Sequence, residues 1–336
     1  MSFKRVAIIG ADTISISIAL GLKEQADPPD IVGYDARSLP AKLAHSRGAF
    51  DRVERKPEQA CQGADMVIVA EPLPAIRETF AVIAPHLEPG CLVTDTACLK
   101  APVMRWAEEL LPKNIPFAGG HPIPNPTIVG FDSLAGLDEA SADLLVGALY
   151  FITTPTGFSD TNAIVRMIEA LDACPYFIDA TEHDGLHAGV EGLPDLLTIA
   201  LLRATIDTPG WQEMRNLAGR HFATATEIAD SAAERHTAVF LNRENVLLRL
   251  NVILSELVRL RDLLSQDNAE ALEETFTLAA EGRENWLQER ERGMWTKKPA
   301  VGMEDIPTMG QQLGQMLFGG SMSRRLRETG DRSRQK

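Results

Sequence analysis

The chain has 336 residues, 45% hydrophobic and 24% charged, a composition that fits a globular protein of two domains and excludes a disordered or fibrous one. Its formal net charge of -14 would repel nucleic acid and anionic membrane surfaces, so neither is expected as a partner. No apolar run reaches the roughly 20 residues that cross a bilayer, and the opening Met-Ser-Phe-Lys-Arg-Val-Ala-Ile-Ile-Gly is too short in its apolar stretch for a secretion signal. The four cysteines, at 61, 91, 98 and 174, lack metal-type pairing, and free thiols in a reducing cytoplasm are expected.

Short β-rich runs alternate with helical patterns from Arg5 to about Asp179. Strands are predicted at Val6–Ile9, Ile31–Tyr34, Met66–Ala70, Cys91–Thr94, Pro116–Ala118, Tyr150–Thr153 and Tyr176–Ile178, with helices such as Ile14–Glu24 and Ala75–Ile83 between them. Most of the runs are continuously apolar, as parallel strands covered on both faces are. The pattern predicts an α/β fold with a doubly wound parallel sheet over residues 1–179. Beyond Asp179 the texture becomes helical: His183 to about Ile206, Trp211 to Ala229, Glu234 to Leu264 and Ala269 to about Arg292. An all-α domain is therefore expected over 180–318. Its stretch Val246–Leu264 is too broadly apolar for one amphipathic stripe and predicts burial on more than one side, against a second subunit or within one chain. Residues 319–336 hold Arg324, Arg325, Arg327, Arg332, Arg334 and Lys336 and read as a disordered, solvated basic tail.

The first strand runs into Gly10-Ala-Asp12-Thr-Ile-Ser15, and Asp35 ends the second strand. A strand, a glycine turn, a helix and an acidic residue some 20 positions on form the Rossmann dinucleotide fingerprint, here with one of its three glycines. Asp12 stands where a glycine lets backbone approach a diphosphate, and its carboxylate would cap the helix N–H groups that bind phosphate. Asp35 favours NAD through the adenosine ribose hydroxyls, while Arg37 leaves room for NADP. The predicted cofactor residues are Gly10, Asp12, Thr13, Ile14, Asp35, Arg37, Pro72 and Thr96.

Later motifs point to a family. Thr94-Asp-Thr-Ala-Cys-Leu-Lys100, Phe117-Ala-Gly-Gly-His-Pro-Ile123, Leu149-Tyr-Phe-Ile-Thr-Thr-Pro155, Glu182-His-Asp184, Leu193-Pro194 and Asn242-Arg-Glu244 occur in order over about residues 3 to 290. Together they resemble the prephenate and arogenate dehydrogenases. The resemblance implies oxidation of a ring carbinol by a nicotinamide with loss of carbon dioxide, on the way to tyrosine. It also implies a homodimer through the C-terminal helices. It places the family's active-site histidine on His121, expected on a loop after a strand end, as acceptor of the substrate's hydroxyl proton.

Several positions depart from the family pattern. The family serine beside the histidine falls on Cys98, a poorer hydrogen-bond donor. The serine and last histidine of Ser-His-Leu-Pro-His fall on Glu191 and Asp195, and the arginine for the substrate carboxylate falls on Glu227. The small-residue pair after His-Pro becomes Pro124-Asn125, while Gly130 matches. Arg220, His221, Arg235 or His236 would be the nearby cations able to replace that arginine. Glu191, Asp195 and Glu227 would suit an amino-bearing substrate instead, and Asp12 with the lost arginine would suit a non-catalytic relative that binds a partner. His45 and His86 read as surface residues. His183 and His187 stand one helical turn apart, a metal-pair spacing, but the family's His-Asp element carries no metal and none is expected.

Overall fold

A computed structural model describes residues 3–129, 136–158, 161–206, 208–227 and 232–292. The chain opens with β1 (Arg5–Ile9), α1 (Thr13–Lys23), β2 (Asp30–Tyr34), α2 (Ser38–Ser46) and the two-residue β3 (Arg52–Val53). It continues through α3 (Pro57–Ala60), β4 (Met66–Val69), α4 (Leu73–Ile83), β5 (Leu92–Asp95), α5 (Ala101–Leu110), β6 (Phe117–Ile123) and α6 (Pro126–Val129). Then come β7 (Leu149–Thr153), α7 (Thr161–Glu169) and β8 (Cys174–Phe177).

These strands form one eight-stranded sheet in the order β3-β2-β1-β4-β5-β6-β7-β8. Alternate residues feed opposite faces. Val6, Ile8, Met66 and Ile68 enter a core with α1 and α7, while Ala7, Ile9, Val67 and Val69 enter a second core with α4 and α5. Burial on both faces is why the strands read as unbroken apolar runs.

The sheet is not wholly parallel. β7 runs antiparallel to β6, with His121 opposite Phe151, and β8 follows β7 in parallel. That pairing carries β6 past its two-residue contact with β5, so His121 lies inside a strand and not on the expected loop. The Gly119-Gly120 pair that reads as a turn is strand backbone held between neighbours.

The helical part begins with α8 (Ala180–His187), a π turn at Ala188–Gly192 and α9 (Leu193–Ile206). The expected helix from Trp211 is divided into α10 (Trp211–Leu217) and α11 (Arg220–Ala225) around Gly219. The one expected from Glu234 is divided at Asn242 into α12 (Ala232–Leu241) and α13 (Arg243–Ser265), and α14 (Ala269–Glu291) follows. Among the described residues of one chain, α13 is not buried on more than one side. Val246 is buried, whereas Leu247, Leu248, Val252, Leu254, Leu257, Val258 and Leu264 are exposed, because no element among the described residues covers them. Among the described residues no helix is long and apolar enough to cross a membrane. Gly130, the end of the helical stretch toward 318 and the basic tail lie outside the described residues.

Candidate active site

Gly10 turns the chain from β1 into α1 with φ +100°, and a Cβ there would sit 2.3 Å from the Ala70 carbonyl oxygen at the end of β4. Only glycine combines that backbone angle with so close an approach. Asp12 then caps α1. Its Oδ1 accepts the Ser15 N–H at 2.7 Å, and the Ser15 hydroxyl accepts the Asp12 N–H at 2.9 Å. This reciprocal box satisfies N–H groups that a Rossmann helix offers to phosphate. Burial pushes the Asp12 carboxyl above the usual carboxylate range, with the Ser15 hydrogen bonds pulling against it.

Asp35 is buried at the end of β2. Its Oδ2 accepts the Ala11 N–H at 2.8 Å, and Oδ1 accepts the Arg37 N–H at 2.6 Å. The exposed Arg37 guanidinium folds back onto the same carboxylate at 3.1 and 3.2 Å. Glu71, absent from the sequence expectation, adds a third carboxylate, raised by its burial and by Asp35 nearby. The signal for it was an acidic residue directly between an apolar strand and Pro72.

The remaining expected cofactor residues are less directed. Thr13 is buried and donates its hydroxyl to the Gly136 carbonyl at 3.0 Å. Ile14 packs against the core cluster. Pro72 is the exposed residue before α4, and Thr96 follows β5, its N–H bonded to the Val69 carbonyl.

A second centre lies midway along β6, beside the end of β5. Asp95 and Lys100 form a fully buried ion pair at 2.6 Å. Asp95 also accepts the Gly120 N–H at 3.0 Å and the Ala97 N–H at 2.9 Å, and Lys100 Nζ donates to the Gly120 carbonyl. Fully partnered, the two charges tolerate burial and clamp the backbone next to His121. A Cβ at Gly120 would meet the Asp95 carbonyl at 2.5 Å and the Tyr150 ring at 2.8 Å, which accounts for the glycine before the histidine.

His121 is half-buried, and its Nδ1 lies 3.0 Å from His183 Nε2. His183 Nδ1 lies 2.9 Å from Asp184 Oδ1. Asp184 also accepts the N–H groups of Lys100 at 2.7 Å and Ala101 at 2.9 Å, so its charge sits on the positive end of α5. Phe151, the cross-strand neighbour of His121, packs edge-on to His183 at 5.6 Å, and the Asn242 amide donates to the Asp184 carbonyl. Burial and the neighbouring His183 hold the His121 ring well below the ordinary 6.5, hence neutral. His187, stacked on His183 at 6.4 Å, is lowered to about 4 by burial and by His183. The sequence showed only the metal-pair spacing of His183 and His187, with no metal expected, and their contact with His121 was missed. Among the described residues no group of three or more His, Cys, Asp or Glu side chains is placed to hold a metal.

His183, His187, Glu191 and Asp195 follow at intervals of four along α8, the π turn and α9. Four residues overshoot an α-helical turn by about 40°, and the wider π turn counters part of that drift. Such turns recur at functional sites. Asp195 is ion-paired with Arg235 of α12, which is also within electrostatic reach of Glu191. Of the candidate replacement cations, Arg235 is thus tied to this ladder. Glu227 is exposed just beyond α11. Cys98 is half-buried at the edge of the core under α5.

A glycine turn at the switch point of a doubly wound sheet, with a neutral histidine at the same carboxyl edge, defines a nucleotide-binding α/β protein with a second chemical centre. The sequence matches the prephenate dehydrogenase nucleotide-binding domain over residues 18–175 and the prephenate dehydrogenase dimerization domain over residues 179–278. The chain belongs to the prephenate and arogenate dehydrogenase family. It is 28% identical over 278 residues to the prephenate dehydrogenase of Lactococcus lactis subsp. cremoris, covering 81% of this chain and 75% of that one. To the cyclohexadienyl dehydrogenase of Zymomonas mobilis it is 26% identical, over 84% and 95% of the two chains. Among solved structures, A. aeolicus prephenate dehydrogenase in complex with hydroxyphenyl propionate and NAD+ has the same fold, with TM-score 0.74, 22% identity and coverage of 85% and 99%. Synechocystis arogenate dehydrogenase follows at 0.68, 23%, 84% and 99%.

Proposed function

We propose that this protein is a homodimeric, NAD-dependent dehydrogenase that oxidises the ring carbinol of prephenate or arogenate. The observation that carries the reading is His121, neutral, half-buried and clamped at the carboxyl edge of the sheet. The crevice fits a dinucleotide: Gly10 keeps the close turn, and Asp35 stands at the end of β2 where an adenosine ribose is held. Gly10, Ala11 and Asp35 would hold NAD there, after Asp12 yields the N–H groups it caps. When bound, nicotinamide supplies the acceptor for the carbinol hydride. His121 takes the carbinol hydroxyl proton. Loss of carbon dioxide leaves the ring oxygen as a phenolate, which regains one proton, so His121 ends each turnover as it began.

A second copy would cover the exposed apolar side chains of α13. The four cysteines are free thiols, in keeping with a reducing cytoplasm. One observation favours arogenate as the substrate. The Asp195–Arg235 pair, with Glu191 in reach, presents both signs of charge, as the amino-acid end of arogenate does.

The test is turnover of prephenate and arogenate with NAD+ and NADP+, read as reduced cofactor at 340 nm, beside a fluorescence titration with NADH. Oxidation of either acid supports the reading. Dinucleotide binding without oxidation of either points to another substrate. No binding at millimolar NADH overturns the dehydrogenase assignment in favour of a non-catalytic binding protein.

A further inference from the structure

We propose that His183 and Asp184 are positioning residues that fix His121 in one tautomer and relay the proton it gains. The proposal rests on the dehydrogenase reading above, which requires a lone pair on His121 and so a neutral His183.

The argument starts at the carboxylate. Asp184 is buried and accepts two backbone N–H groups, one on each oxygen, at the N-terminal end of α5. An ionised carboxylate only accepts, so the ring nitrogen 2.9 Å from it, Nδ1 of His183, carries a hydrogen. A neutral imidazole protonated at Nδ1 bares Nε2 as an acceptor. That Nε2 faces His121 Nδ1 at 3.0 Å, so His121 is the donor in this pair. His121 then carries its hydrogen on Nδ1, and its lone pair lies on Nε2. Nε2 is the one ring atom able to take a hydroxyl proton. Were His183 a cation, both its nitrogens would donate, His121 Nδ1 would accept, and Nε2 would carry the hydrogen, leaving no base.

The same bonds define the relay. When Nε2 of His121 gains the substrate proton, the Nδ1–H bond breaks and the hydrogen passes to Nε2 of His183. His121 is again neutral, and the charge rests on His183 against Asp184. The reverse transfer returns the proton to His121 for the phenolate. Nothing is oxidised in these steps and no proton is lost. Among the described residues the groups facing the pair include Phe151, edge-on to His183, His187, stacked on His183 and tilted toward His121, and Lys100, whose ammonium is held by Asp95 and Gly120.

The experiment is 15N–1H correlation of the histidine side chains in the full-length protein at pH 7.5, assigned with His121→Gln and His183→Gln. Hydrogen on Nδ1 of both rings supports the proposal; hydrogen on Nε2 of His121 overturns it, whether or not the protein oxidises prephenate or arogenate. Once turnover is established, Asp184→Asn should lower kcat on the order of 10²-fold with KM within twofold and move the acid limb of the kcat profile. An unchanged pH profile in a folded Asp184→Asn protein overturns the relay while leaving the dehydrogenase reading intact. If Asp184→Asn does not fold, His183→Gln supplies the same comparison.

Discussion

The carboxylate of Asp12 accepts the backbone N–H of Ser15 at 2.7 Å, so the protein's own side chain holds the place that a diphosphate takes at a Rossmann helix. Displacing a cap costs about 1 kcal/mol, and bringing two anions together costs more. Asp12→Gly should therefore tighten NADH binding about tenfold, equivalent to ~1.4 kcal/mol. A fluorescence titration measures it. An unchanged Kd would show that Asp12 leaves the helix end without hindrance.

His121 and His187 impose a pH dependence on stability whose sign follows from their burial. Both rings are harder to protonate in the fold than at their ordinary 6.5, His187 reaching about 4. The unfolded chain binds more protons below 6.5, so the stability these rings allow is present above that value and is lost as pH falls toward 4. The urea midpoint should be lower at pH 5 than at pH 7.5, and His187→Phe should flatten the difference.

Gly120 should tolerate no side chain. A methyl group there meets the backbone of Asp95 and the ring of the buried Tyr150, neither of which can give way. Gly120→Ala is expected to lose about 3 kcal/mol in denaturant titration. A methyl group at Gly119 crowds the flexible Met104 Sδ at 3.2 Å and touches the side chains of Lys100 at 3.4 Å and Asp95 at 3.6 Å, so Gly119→Ala should lose about 1 kcal/mol.

If the acidic ladder and Arg235 grip the substrate's charged end, Arg235→Gln should raise KM roughly 10- to 100-fold and change kcat far less. Equal losses in kcat would instead tie Arg235 to the transition state.

The exposed apolar side chains of α13 give a test of assembly. Leu257 is 48% exposed in one chain. Leu257→Glu should convert a dimer to monomers in sedimentation velocity, while Leu39→Glu, exposed on α2, should not.

The sheet was legible in the sequence because strands buried on both faces are marked by composition alone, as Met66–Val69 is. The cap at Asp12 was equally legible, since it depends on residues three apart. The setting of His121 was not. Its strand is completed by β7, almost thirty residues away, and Gly119-Gly120 reads as a turn until Asp95 and Tyr150 are seen against it. His183 and His187 announced a helix and a metal-pair spacing, but the partner that defines His183 is sixty-two positions distant. Likewise the exposure of α13 could not be told from core burial, because apolar content says that a face is covered without saying by which chain.

The π turn at Ala188–Gly192 makes the helix a device whose phase depends on its length. Removing that extra residue would restore ordinary winding with the phase beyond it almost unchanged, whereas adding a residue to the ordinary winding would rotate everything beyond it by about 100°. His183 and His187 would stay with the sheet, while Asp195 would swing off Arg235. Proton handling and charge recognition are thus geared to each other by the winding of this helix, and an insertion in it would separate them without touching either group.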